Sequence, residues 1–430
     1  EIATFRRSDV PYRMTCWGSY FASCLQGLEP VLARELQQPC IGAFSVEEGR
    51  LGVHFYGDEA VGARAVLWSR SALRVMELLT TAFVNNQRDL YEATRETVQW
   101  SELVGGPHWT ISAQAVLSLD RAIRGKRARP GDWPCPQCGA LVFKSRDECF
   151  KCGMRRAREA EDASPLTHSH FTALTVKNAV CDVLSEELGW RPSVNTLDPD
   201  LPLFLHVHRG EMSLYRILSG ASSMHKRGYR SATVHAAAMK ESLAAALLLH
   251  ANYQPDQHIL CDPMCGSGTL PIEAALIATN SAPGLLRRAP ALARWVDASY
   301  AAAWRTAADE AELARRDDTP MPIIANEVHP GAMKLARAGA RAAGVDHLIE
   351  FTEGCVSHLS PRVEPSLVVC NPPWNVRLAD GEMAWRLLGD FLRDKCGAGT
   401  AWLLSGNSAL TRSLRLKSSS KLPIEQAGHS

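Results

Sequence analysis

The stretch Ile259-Leu-Cys-Asp-Pro-Met-Cys-Gly-Ser-Gly-Thr269 decides how the second half of this chain folds. Its first residues are apolar and strand-like, and the run from Leu270 to Ala278 has a helical pattern. The segment between them reads as a tight strand-to-helix turn. Gly266 and Gly268 let the backbone approach a ligand closely, and the helix start behind them offers N–H groups with no partner inside the helix. A second apolar strand, Ser366 to Cys370, ends in Asn371-Pro-Pro-Trp374. Two prolines cannot continue a central strand, so Asn371 is left at its carboxyl end, facing a crevice.

Strand signals recur at 259–261, 323–325, 350–352, 367–370 and 402–404, and a long Ala- and Leu-rich helix is expected over Thr233 to Leu249. That alternation argues an α/β doubly wound parallel sheet over residues 231–430. Earlier, Tyr20-Phe-Ala-Ser-Cys reads as a strand, the segment from Leu28 with Pro30 in its first turn as a helix, and Glu59 to Ser69 as another. Short strand–helix units of this kind mark an α+β region, assigned to residues 16–75. Between 76 and 220, Trp109-Thr-Ile-Ser-Ala-Gln-Ala alternates like a strand, Thr172 to Leu184 has helical period, and two strands flank a hairpin turn at Gly210-Glu211. His206 and His208 share one strand face there and read as ordinary surface histidines rather than a metal pair.

Composition sets limits. A net charge of +1 means that binding to nucleic acid has to come from local patches. No uninterrupted apolar run of about eighteen residues exists, so no membrane partner is expected. Thirteen scattered cysteines suggest a reducing compartment. The chain starts at Glu1, and Phe5-Arg-Arg-Ser8 is read as the trace of a removed leader.

One cluster stands apart. Cys135-x-x-Cys138 and Cys149-x-x-Cys152, separated by ten residues, present four thiolates at the spacing of a tetrahedral zinc site. The insert spans 126–165. Basic runs flank it, Arg121 to Arg129 and Arg155 to Arg158, and these fit either a solvated linker or a phosphate contact. The same two readings hold for Lys226, Arg227 and Arg230 in His-Lys-Arg-Gly-Tyr-Arg230.

The glycine turn followed by Asn-Pro-Pro-Trp resembles the S-adenosylmethionine-dependent amino-methyltransferases. Gly131-Asp-Trp133 with Phe143, Arg146 and Phe150-Lys-Cys-Gly153 resembles the zinc finger of the Ran-binding-protein type, whose RNA-reading members imply contacts for Phe143 and Arg146; Val142 and Ser145 depart from that pattern. Phe21-Ala-Ser, Gly27-Leu-Glu29, Leu67-Trp-Ser-Arg-Ser71, Arg227-Gly-Tyr-Arg230, Met239-Lys-Glu-Ser-Leu-Ala-Ala-Ala246, Asp262 to Thr269 and Ala282-Pro-Gly-Leu285 together resemble the bacterial 23S ribosomal RNA guanine-N2 methyltransferases of the RlmL type.

That resemblance implies a ferredoxin-like region and an RNA-gripping THUMP domain, interrupted by the finger, before a Rossmann-like methyltransferase. It implies that Asp262, Gly266, Gly268 and Thr269 hold the amino-acid part of S-adenosylmethionine, that Glu327 accepts the ribose hydroxyls, and that Cys355 stands where an acidic residue commonly meets the adenine. Asn371 and the Pro372 carbonyl would bind the guanine amine and Trp374 would stack on the extruded base, in place of the usual tyrosine. Bacterial relatives carry a second methyltransferase, which is not expected here. The implied partner is large-subunit ribosomal RNA or a pre-ribosome. A tRNA enzyme and a non-catalytic ribosome assembly factor stay open as alternatives. A bacterial-type enzyme with a eukaryotic finger implies an organelle, plastid before mitochondrion, with the cytoplasm as the alternative.

Overall fold

The structure, a computed structural model, describes residues 17–118, 133–135, 140–143, 146, 148–154, 166–230, 239–296, 298–373, 378–397 and 399–425. The chain divides into two compact units, one of residues 1–75, 222–293 and 299–430, the other of residues 76–221 with 294–298.

The first unit begins with β1 (Gly18–Ser23), α1 (Glu29–Leu36), β2 (Phe44–Gly49), β3 (Gly52–Gly57) and α2 (Glu59–Trp68). β3 pairs antiparallel with both β1 and β2. α2 starts where Asp58 accepts the Val61 N–H at 2.8 Å, an N-cap that satisfies one orphan donor. α1 buries Val31, Leu32 and Leu36, and with them the carboxylate of Glu35. That charge is tolerable because Ser69 and Ser71 donate their hydroxyls to it and the Arg70 and Ser71 backbones donate their N–H groups. The Ser-Arg-Ser sequence is therefore a receptacle for one buried acid.

The second unit contains β4 (Arg74–Phe83), α3 (Gln87–Glu96), β5 (Thr110–Ser118), the short β6 (Trp133–Pro134) and β7 (Leu141–Val142), α4 (Ser169–Leu188), β8 (Ser193–Val194), β9 (Leu201–His208) and β10 (Glu211–Ile217). Its main sheet runs β4-β10-β9-β5-β8. The β9–β10 hairpin turns through Arg209 and Gly210, both in the left-handed region at φ 52° and 81°, a pair of values that suits the right-handed twist of the strands. Alternation along β9 sends Leu201, Leu203, Leu205 and Val207 into the core with Val176, Val180 and Leu184 of α4. His206 and His208 lie on the opposite face with rings 6.3 Å apart, and His206 meets the Ser118 hydroxyl at 2.8 Å.

The first unit resumes with α5 (Glu241–His250), β11 (Leu260–Asp262), α6 (Thr269–Ala278), α7 (Ala298–Leu313), β12 (Ile323–Glu327), α8 (Pro330–Ala342), β13 (Ile349–Glu353), β14 (Leu367–Cys370), α9 (Leu378–Lys395), β15 (Thr400–Leu403) and α10 (Ser408–Arg412). The five strands pair in parallel in the order β13-β12-β11-β14-β15. Strand order reverses between β11 and β14, which opens a crevice beyond their carboxyl ends. β14, Leu-Val-Val-Cys, is buried along its whole length, as a central parallel strand must be. The helix expected over Thr233 to Leu249 differs in its start. α5 begins only at Glu241, after Lys240 in extended backbone, and 233–238 lie outside the described residues. Among the described residues, no helix is long and apolar enough to cross a membrane.

Candidate active site

Asp262 closes β11, and Asn371 directly follows Cys370, the last residue of the neighbouring β14. The two motifs, far apart in sequence, thus meet at the switch point. One pocket is lined by Asp262, Gly266, Thr269 and Asn371, together with Met239, Met264, Cys265, Ser267 and Leu270. Gly268 is the N-cap of α6 at φ 79°, and a Cβ there would come within 2.8 Å of the Ala336 Cβ, so glycine is required both by conformation and by the packing of α8. Gly266 differs. Its φ is 57° and a Cβ would meet nothing, because that side of the turn is open pocket.

Glu327, the last residue of β12, holds the turn. Its carboxylate accepts the Gly266 N–H at 2.8 Å and the His329 N–H at 2.9 Å while only 6% exposed. Two acceptor positions remain on such a carboxylate, enough for a diol. Asn326 beside it was missed in the sequence. Its amide donates to the Pro263 and Gly354 carbonyls, and its backbone carbonyl accepts the Cys265 N–H at 2.8 Å, stitching the turn to the end of β13. Only its neighbourhood to Glu327 hinted at this role.

Asp262 is 1% exposed, and burial pushes its carboxyl up to about 7. A buried acid of that kind is poised to become a carboxylate when a cation arrives, and α6 begins with no side-chain cap on its first-turn N–H groups. Acid and uncapped helix start therefore fit the ammonium and carboxylate of an amino-acid group, and Glu327 fits a sugar diol. Cys355 caps the short turn after β13, half-buried; the Ser357 hydroxyl donates to its sulfur at 3.1 Å and lowers the thiol's pKa.

Pro372 is buried, and the Pro373 carbonyl accepts the indole N–H of Trp385 at 2.9 Å. Trp385 is fully buried in α9, so it anchors the loop that carries Asn371. Trp374 and Cys138 lie outside the described residues. Among the described residues, Cys135, Cys149 and Cys152 bring their sulfurs within 4.8 Å of one another, a donor set that fits a thiolate-bound ion. Phe143 is 50% exposed and Arg146 is exposed beside it.

Two of the proposed phosphate contacts require correction. Arg227 is fully buried: it donates to the Met224 and Arg70 carbonyls and lies 3.5 Å from Glu273, a buried acid of α6 that also accepts the Tyr229 hydroxyl at 3.0 Å. The acid in the apolar helix α6 demands an internal cation, and Arg227 supplies it. Arg230 is turned inward as well, donating to the Met239 carbonyl and the Thr269 hydroxyl. Lys226 alone of the three is exposed.

A doubly wound sheet with a glycine turn, an acid at the end of the second strand and an Asn-Pro-Pro at the end of the fourth defines an S-adenosylmethionine-dependent methyltransferase. Residues 227–430 match the RMKL-like methyltransferase domain, 19–76 the RlmL ferredoxin-like domain and 141–216 the THUMP domain. A Synechocystis protein provisionally named an RNA methyltransferase is 30% identical over 95% of this chain and 94% of its own length. The ribosomal RNA large subunit methyltransferase K/L of Syntrophotalea carbinolica is 34% identical over 93% of this chain, which spans 50% of that relative's length. A Listeria monocytogenes protein described as a predicted N6-adenine-specific DNA methylase superposes with TM-score 0.73 at 25% identity, covering 94% of this chain and 93% of its own. The methyltransferase-like SMU.472, solved with S-adenosylhomocysteine, superposes at 0.76 with 18% identity, covering 96% of each chain. The chain belongs to the RlmL-like family of THUMP-bearing, S-adenosylmethionine-dependent RNA methyltransferases.

Proposed function

We propose that this chain methylates the N2 amine of a guanosine in large-subunit ribosomal RNA. The observation that carries the reading is that Asn371 and the glycine turn line one pocket. When bound, S-adenosylmethionine supplies an electrophilic methyl group on a sulfonium. The chain's part is positioning: Asp262 receives the ammonium, the start of α6 the carboxylate and Glu327 the ribose hydroxyls. The Asn371 amide oxygen and the Pro372 carbonyl accept the hydrogens of an exocyclic amine, directing its lone pair toward the methyl, and Trp374 stacks on the base. The S–CH3 bond would break as the N–CH3 bond forms, leaving a neutral thioether, and the cationic nitrogen so produced is acidic enough to release its proton to water without a strong base.

In this reading Cys135, Cys138, Cys149 and Cys152 hold a structural Zn2+, Phe143 and Arg146 offer a stacking face and a cation to single-stranded RNA, and Lys226 meets phosphate. The substrate is ribosomal RNA or a pre-ribosome, in an organelle. The test is to map N2-methylguanosine in organellar and cytosolic ribosomal RNA from cells lacking the protein, then restore wild type or Asn371→Ala. A missing mark returned by wild type alone supports the assignment. An unchanged methylation map, with ribosome assembly impaired, favours a non-catalytic assembly factor.

A further inference from the structure

The guanidinium of Arg230 joins Met239, the start of α5 and the start of α6. One terminal nitrogen donates to the Met239 carbonyl at 2.7 Å and also to the hydroxyl of Thr269, the first residue of α6. Its Nε lies 3.5 Å from Glu241, the first residue of α5. Met239 and Thr269 both line the pocket. The side chain is 17% exposed and its Glu241 partner 5%, so the cluster lies largely out of solvent, where a fixed charge acts strongly.

From this arrangement we infer that Arg230 is a positioning residue of the cofactor pocket and not a contact for RNA. By holding the Met239 backbone and the Thr269 hydroxyl together it fixes the pocket-lining Met239 against the start of the glycine-turn helix. Its positive charge lies beside that helix start, where it adds to the field that favours an anionic group. Arginine suits this task because a rigid, permanently charged fork reaches several acceptors at once; lysine offers one compact head. Burial pushes the Glu241 carboxyl upward, and this guanidinium is the main influence in the other direction. The inference rests on the proposed cofactor site but not on the identity of the methylated nucleotide.

The test is calorimetric titration of S-adenosylhomocysteine into full-length wild type, Arg230→Met, Thr269→Val and the double variant, with binding of a large-subunit ribosomal RNA transcript measured in parallel. Arg230→Met should weaken S-adenosylhomocysteine by about tenfold or more, the scale of a lost charge-assisted hydrogen bond, and leave RNA binding as in wild type. The double variant should lose little beyond Arg230→Met, because both single changes break the same contact. Arg230→Lys should recover part of the affinity, and it replaces Arg230→Met in the cycle if that protein does not fold. Wild-type cofactor affinity in the Arg230 variants, strictly additive losses, or a loss of RNA binding alone would each overturn the inference. Failure of wild type to bind S-adenosylhomocysteine would overturn the proposed function with it.

Discussion

Glu327 accepts the backbone N–H of Gly266 at 2.8 Å, which ties the acid at the end of β12 to the glycine turn after β11. The contact uses a backbone donor that would otherwise compete for the cofactor, and it fixes the carboxylate's rotamer. Preorganisation of this kind lowers the cost of ordering the site on binding.

Glu327→Gln should therefore weaken S-adenosylhomocysteine by about 1.5–3 kcal/mol, the net value of hydrogen bonds to a charged group, and lower the melting temperature of the ligand-free protein as the turn loosens. Calorimetry and thermal denaturation of the same preparation read both effects. Unchanged affinity would remove Glu327 from the cofactor site.

Asp262 predicts a pH dependence. Its folded-state carboxyl is raised from the ordinary aspartate value to about 7 by burial. Stability contributed by the neutral form is complete below the unfolded-state pKa and is lost as pH rises through about 7. Cofactor binding runs the other way, since an ammonium favours the carboxylate. Affinity for S-adenosylhomocysteine should rise between about pH 6 and 8 in wild type and stay flat over that range in Asp262→Asn. Parallel slopes in the two proteins would assign the titration to another group.

Asn371→Ala should cut single-turnover methyl transfer by about a hundredfold, the scale of one preorganised polar group, and leave RNA affinity nearly unchanged. Rapid-quench assays on a ribosomal RNA fragment measure the first quantity and filter binding the second. A variant that methylates at the wild-type rate would sink the assignment of the motif.

Arg227→Met should destabilise the protein by about 3–5 kcal/mol, because Glu273 would be left as a buried charge without its cation. Urea unfolding gives the number. A loss confined to RNA binding, with unfolding unchanged, would contradict the buried assignment.

Chelation should unfold the small β6–β7 module and release one zinc ion per chain, since structural zinc in fingers contributes on the order of 10 kcal/mol of apparent binding free energy. Elemental analysis together with circular dichroism decides it. Folded protein devoid of zinc would end the metal reading.

What the amino-acid sequence determined alone was the local grammar. The β11–α6 turn, the stop at Asn371-Pro-Pro, the Gly210 hairpin and Pro30 in the first turn of α1 are all where the residues place them, because strand alternation, proline's fixed φ and glycine's freedom act within a few residues. The motif residues at the ends of β11, β12 and β14 were legible for the same reason, since parallel strands with helical crossovers bring their carboxyl ends together. The fate of charge was not legible. Lys226, Arg227 and Arg230 look alike as a basic run, yet Arg227 is buried against Glu273 and Arg230 is spent on Met239, Thr269 and Glu241. Trp385 under the Asn-Pro-Pro loop and Asn326 between two strand ends are equally silent in sequence. Each of these roles is set by a partner distant along the chain, and whether a charge or an indole N–H is solvated or buried depends on which partner the packed structure brings to it.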